Sequence, residues 1–334
     1  MATVIKLNRF PTFLSYAAVG GKEEGEGPFG TLFDHIDESS RFGQSTFEAA
    51  EGEMQRLCLS LALKKGRFSP AELSLLVAGD LQNQCVASAG GLYTFGLPYL
   101  GLYGACSTCT EGLIALSLAY AHGGVERGAA VTSSHNAAAE RQFRLPLEYG
   151  GQRTPSAAWT ATAAGAFILG TGGDIRIREV AIGRLIDGAT QDASNMGAAM
   201  APAAADTILS YLKKGSVPLR DIDLVVTGDL GRVGSALLLS LLAEEGIELS
   251  KKHRDCGNLI YSKRSEDAHS GGSGCGCSAS LLACHFLPSL LRGEISRILF
   301  LSTGALMSTQ STLQKNNILG VAHGVLIERG DISC

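Results

Sequence analysis

Cys106 is the residue best placed to do chemistry. It stands in Gly104-Ala105-Cys106-Ser107-Thr108, a run of small residues just before the apolar stretch Leu113 to Ala121. Such a turn opens a helix, whose unpaired N–H groups and dipole favour a thiolate and lower its pKa. Small neighbours also let a ligand come close. The same position suits an inert buried cysteine, the ordinary fate of this residue type. His135 follows the β-rich run Ala129 to Ser133 and so stands at the C-terminal end of a strand, where ligand sites of parallel sheets gather. Ser133, Ser134 and Asn136 add neutral donors beside it. His323, between Ala322 and Gly324 at the head of a final strand, reads either as a pocket floor or as a core histidine bonded to backbone. Arg141, Arg144 and Arg153 follow the His135 turn, and a guanidinium fork matches a carboxylate. Glu140 and Glu148 are available to pair with them instead. Asp80, Asn83 and Gln84 follow one strand end and Asp229 another, as candidate groups at a site entrance.

Cys106 and Cys109 form a C-x-x-C, and Cys275 and Cys277 a C-x-C. A zinc site needs a second pair at diagnostic spacing, which the nine cysteines do not offer, so neither metal nor disulfide chemistry is expected. The string Gly170 to Asp174 lacks the third glycine and the following helix of a dinucleotide fingerprint, and no cofactor is expected.

The elements that must hold these residues occur twice. Leu75 to Leu81 (LLVAGDL) and Leu224 to Leu230 (LVVTGDL) both read as a buried strand ending in a turn. Helical periodicity precedes each, in Phe47 to Leu63 and Ala203 to Lys214. A Gly/Cys-rich turn follows each: Gly104 to Thr108, and Gly272 to Ser278 before the apolar run Leu281 to Leu291. A β-rich run closes each unit, Ala129 to Ser133 and Arg297 to Ser302. Alternation of this kind predicts βαβ units, and its repetition predicts two pseudo-twofold halves, 1–173 and 174–334. Ligands then belong where both halves point equivalent loops.

Composition narrows the function classes. The 334 residues carry a formal net charge of -4, with 45% hydrophobic and 18% charged, which excludes a disordered chain and leaves no basic excess for nucleic acid. No apolar run reaches the roughly 18 residues of a membrane span, and no basic-then-apolar leader pattern is visible. A soluble cytoplasmic protein is expected.

The Cys106 turn, inside a duplicated βα half, resembles the nucleophile turn of the thiolase and ketosynthase superfamily. More narrowly, the chain resembles the stage V sporulation protein AD family. The resembling strings include Gly79-Asp80-Leu81-Gln82-Asn83-Gln84, Thr132-Ser133-Ser134-His135-Asn136, Met196 to Asp206 and Gly271-Gly272-Ser273-Gly274-Cys275, and they span nearly the whole chain. The resemblance implies a thiolase-like α/β/α/β/α fold, usually dimeric. It also implies binding of dipicolinate (pyridine-2,6-dicarboxylate), with or without calcium, within the machinery that loads developing spores. Attachment to the spore inner membrane would run through membrane subunits of that apparatus. Condensing enzymes of the superfamily add histidines at positions that fall near Asp229 and Ser273, and a late Cys-x-Gly that falls on Ala322-His323-Gly324. This chain has no histidine at the first two and a displaced one at the third. The thiol therefore reads as part of a binding pocket rather than as a catalyst. The expected ligand set is Cys106, Ser133, Ser134, His135, Asp229, Ser273 and His323, with no catalytic residue. The alternatives are an acyltransferase using Cys106 and a scaffold with a vestigial pocket.

Overall fold

The computed structural model describes residues 1–143, 153–261 and 268–330. Ten strands build the sheet framework. They are β1 (Thr12–Gly21), β2 (Leu75–Gly79), β3 (Tyr99–Gly101), β4 (Gly128–Ser134), β5 (Ala163–Gly170), β6 (Ile175–Ile182), β7 (Leu224–Thr227), β8 (His253–Asp255), β9 (Arg297–Leu306) and β10 (Leu319–Arg329). Hydrogen bonding runs β1-β5-β4-β2-β3 in the first half and β6-β10-β9-β7-β8 in the second. The order is the same with every index raised by five, which is the repetition that the sequence predicts. The halves meet edge to edge where Thr12 of β1 pairs with Arg176 of β6. Each half mixes directions. β2 is parallel to β3 and β4, whereas β5 is antiparallel to β1 and β4.

Helix α1 (Phe47–Gly66) starts at Thr46, whose hydroxyl accepts from the Ala49 N–H at 3.2 Å, and stops at Arg67 in the left-handed region. It covers the outer face of the first half-sheet through Ala50, Met54 and Leu59. Helix α2 (Thr108–Ala121) lies between the half-sheets, as does α3 (Cys275–Leu281), which passes through a π-turn at Leu282–Phe286 before the chain resumes α-helix at Leu287. Helix α4 (Met196–Lys214), capped by Asn195, covers the outer face of the second half-sheet. The layers are therefore α/β/α/β/α. Alternation along the strands explains the two-sided burial. Val77 and Ala130 face the central helices, while Leu76, Ala78, Ala129 and Val131 face α1. The central layer demands close approach at one point in particular. A Cβ on Gly304 of β9 would lie 2.3 Å from the carbonyl oxygen of Gly104, so only glycine lets the second half touch the Cys106 turn.

Candidate functional site

The chain enters the Cys106 turn through Ala105, held at φ 52 in the left-handed region, and the helix proper begins only at Thr108. Cys106 is buried against Leu81, Ala139 and Cys275. Its Sγ lies 3.9 Å from Ser273 Oγ, and behind that hydroxyl stands Asp229, the charge that acts on the thiol. Asp229, two residues after β7, accepts from Thr303 Oγ1 (2.8 Å), the Gly274 N–H (2.9 Å) and Ser273 Oγ (3.2 Å). These donors hold a carboxyl whose complete burial pushes its pKa up. The thiol does not follow the expectation of a lowered pKa. Burial, then the neighbouring Asp229 charge, pushes Cys106 well above the ordinary thiol range. A dipole beginning two residues downstream does not offset burial and a nearby buried anion.

The cavity at Cys106 holds about 30 Å³, room for one or two waters. Its wall is apolar at Leu81, Phe143, Met196 and Met307, and polar at Ser273, Thr160 and Glu140. Among the described residues no histidine lines it.

Of the seven residues expected to form a ligand site, Cys106, Asp229 and Ser273 are brought together. Cys106 and Ser273 line the cavity with Asp229 behind Ser273, and the other four lie away from it. Ser133 Oγ donates to Glu51 Oε1 (2.8 Å) and accepts from Gln55 Nε2 (2.7 Å), on the opposite side of the sheet end. Ser134 Oγ donates to the Ala161 carbonyl (2.7 Å) and accepts from the Gly276 N–H (3.2 Å), buttressing the start of α3. His135 lies with Nε2 2.8 Å from the Ser40 carbonyl and its ring 5.4 Å from that of Phe47, and burial holds its pKa below the ordinary histidine range. Strand pleating explains the split, since successive residues at the end of β4 point to different sides. His323 accepts at Nδ1 from the Gly183 N–H (3.0 Å) and faces Glu111 Oε1 with Nε2 (3.2 Å). Glu111 in turn accepts from Ser107 Oγ at 3.0 Å, so His323 is tied to the turn without reaching the thiol.

Arg141 pairs with Glu48 on the surface (3.1 Å), Arg153 pairs with Glu140 at the cavity wall (3.1 Å), and Arg144 lies outside the described residues. Asn83 and Gln84 are exposed on a turn, away from the cavity. Asp80, the counterpart of Asp229 in the repeat, belongs to a closed polar ring. It accepts from Ser88 Oγ (2.6 Å) and from the Gln82 N–H (2.8 Å). Gln82 Nε2 reaches Glu51 (2.7 Å), and Gln55 Nε2 closes the ring to Ser88 (2.9 Å). Burial, then the charge of Asp80, holds Glu51 above the carboxylate range. Sequence reasoning did not pick out Glu51 and Gln55. Their signal is two polar residues four apart on the inward stripe of α1, in line with Cys58, Leu59 and Ala62.

Among the described residues every cysteine is an unpaired buried thiol, and no cluster of three metal-ligating side chains occurs. No described helix is long and apolar enough to cross a membrane.

The family model for stage V sporulation protein AD matches residues 2–328. Stage V sporulation protein AD of Bacillus subtilis (strain 168) is 41% identical over 322 residues, covering 96% of this chain and 95% of that protein. The chain belongs to the stage V sporulation protein AD family. Membership implies a role in sporulation. Solved structures that resemble it share the fold at low identity. They include 3-oxoacyl-[acyl-carrier-protein] synthase III of Aquifex aeolicus VF5 (13% identical, TM-score 0.58, covering 95% of this chain and 99% of that one). Human mitochondrial 3-ketoacyl-CoA thiolase in complex with CoA is 12% identical, with a TM-score of 0.61 over 98% of this chain and 99% of that one. The chain is therefore thiolase-like in architecture, with an aspartate behind the Ser273 that faces the thiol.

Proposed function

We propose that this sporulation protein binds dipicolinate, free or as its calcium complex, in the Cys106 cleft, and that it is not a condensing enzyme. The observation that carries this reading is Asp229. A carboxylate one hydroxyl away from the sulfur, bonded to the Ser273 that faces it, favours the thiol over the thiolate, the reverse of what attack on a thioester needs. A cleft that keeps its place between the two halves but silences its nucleophile is suited to holding a ligand. The 30 Å³ cavity does not admit a pyridine ring in this shape, so binding requires side chains such as Phe143 or Met307 to turn aside.

A titration calorimetry experiment with dipicolinate, with and without calcium, tests the reading. Saturable heat lost in Ser273→Trp and weakened in Cys106→Ala supports it. A stable mass increment at Cys106 after incubation with acyl thioesters, without dipicolinate binding, supports the acyltransferase instead. Neither signal leaves a scaffold for membrane subunits of the apparatus.

The same proposal takes the protein as a homodimer. Strand β3 ends the sheet with an unpaired edge, and Val86, Tyr93, Tyr99, Leu100 and Tyr103 are exposed on or near it. An uncovered edge strand beside exposed aromatic side chains suits pairing with a second copy.

A further inference from the structure

An anionic ligand needs a cation, and the cavity wall presents acids instead, with Glu140 in it and Asp229 behind Ser273. Arg153 stands one layer back, paired to the lining residue Glu140. Its Nη2 lies 3.1 Å from Glu140 Oε1, with side chains 19% and 7% exposed. Its Nη1 donates to the Ala158 carbonyl at 3.3 Å, and its Cζ sits 4.8 Å over the Trp159 ring. Thr160, next in the chain, lines the cavity, so the platform that holds Arg153 adjoins the cleft. Glu140 also shares a helix face with Phe143, three residues on, and both line the wall.

From this placement we infer that Glu140 occupies the position of a ligand carboxylate, and that Arg153 is the specificity-determining cation of the cleft. This rests on the dicarboxylate reading above. In the closed cleft Glu140 satisfies Arg153. When Glu140 turns away, the ligand's carboxylate takes its place on the guanidinium fork. One carboxylate is exchanged for another, so Arg153 stays paired throughout and the desolvation penalty of an unpaired buried charge is avoided. The stack on Trp159 and the bond to Ala158 keep the fork aimed at the same point. The volume vacated by Glu140 adds to a cavity that is otherwise too small. A carboxylate-bearing ligand is favoured because it takes the place on Nη2 that Glu140 holds, while Nη1 stays on the Ala158 carbonyl.

The variants act in opposite directions. Glu140→Gln removes the competitor and a like charge and is expected to tighten dipicolinate binding severalfold. Arg153→Ala is expected to weaken it by at least about tenfold, the scale of truncating one member of a buried charge pair. Arg153→Lys keeps the charge without the fork and is expected to fall between, which guards against misfolding of the alanine variant. Dipicolinate and its monocarboxylate analogue, pyridine-2-carboxylate, serve as probes in calorimetry on the full chain. Melting curves check that each variant is folded. The inference is overturned if Arg153→Ala and Glu140→Gln both bind like the unaltered protein while Ser273→Trp abolishes binding. In that case the cleft holds the ligand without Arg153, and the functional reading survives. Absence of dipicolinate binding by the unaltered protein overturns both.

Discussion

The state of the Cys106 sulfur decides between ligand cleft and enzyme, and it is measurable. At pH 7.5 an ordinary cysteine of pKa about 8.5 is about 9% thiolate, and each unit of upward shift removes a further factor of ten. Burial and Asp229 place Cys106 above that range, so it is almost wholly thiol at neutral pH. Asp229→Asn removes the charge but keeps the size. The alkylation profile of Cys106, read from pH 6 to 10 by mass spectrometry of its peptide, is expected to move to lower pH in this variant. Ser273→Ala removes a hydroxyl that stabilises the thiolate, and the profile is expected to move the other way. The inflection is read rather than the rate, because a cavity of 30 Å³ slows any reagent. Asparagine has one acceptor oxygen where the carboxylate serves Thr303, Gly274 and Ser273, so Asp229→Asn also costs about 1–3 kcal/mol of stability. Circular dichroism must show it folded over the pH range. An inflection below about pH 8 in the unaltered protein, or a profile indifferent to Asp229→Asn, would refute the argument that the carboxylate silences the thiol.

Three further outcomes follow from other parts of the molecule. Burial raises Glu24 from 4.5 to about 7, with Tyr261 and the Thr162 N–H both bonded to Oε1 and Oε2 left without a partner. Between those pH values the folded chain holds one proton more than the unfolded one. Its contribution is full below about 4.5 and is lost as pH rises to about 7, by about 3 kcal/mol. Glu24→Gln is expected to flatten the urea-midpoint profile over that window, and parallel profiles for the two proteins would count against it. Gly304→Ala drives a methyl against the Gly104 carbonyl and is expected to destabilise by about 1–3 kcal/mol in denaturant unfolding; a variant as stable as the parent would show that the halves do not meet there. With the parent expected to sediment as a dimer, Leu100→Asp, which puts a charge on the exposed edge strand, is expected to sediment as a monomer; an unchanged mass would place the interface elsewhere.

The sequence by itself determined the repeat, because buried strands and Gly-rich turns leave a periodic imprint that needs no partner to be read. LLVAGDL and LVVTGDL became β2 and β7 with their following turns, and the small-residue run before Leu113 became the turn that holds Cys106. It also brought Asp229 and Ser273 under suspicion, since both stand where strand or turn must end near the other half. Only the tertiary structure decided what those residues do. The direction in which Ser133, Ser134 and His135 point depends on pleat and on what packs against each face, and neither is encoded locally. A thiol's proton affinity depends on the charge beside it. That charge, Asp229, comes from the turn after β7, more than a hundred residues away, and no spacing rule along the chain carries it. The ring of Glu51, Gln55, Asp80 and Ser133 was hidden for the same reason: its members are polar singly, and they become a site only when three separate elements converge and exclude water.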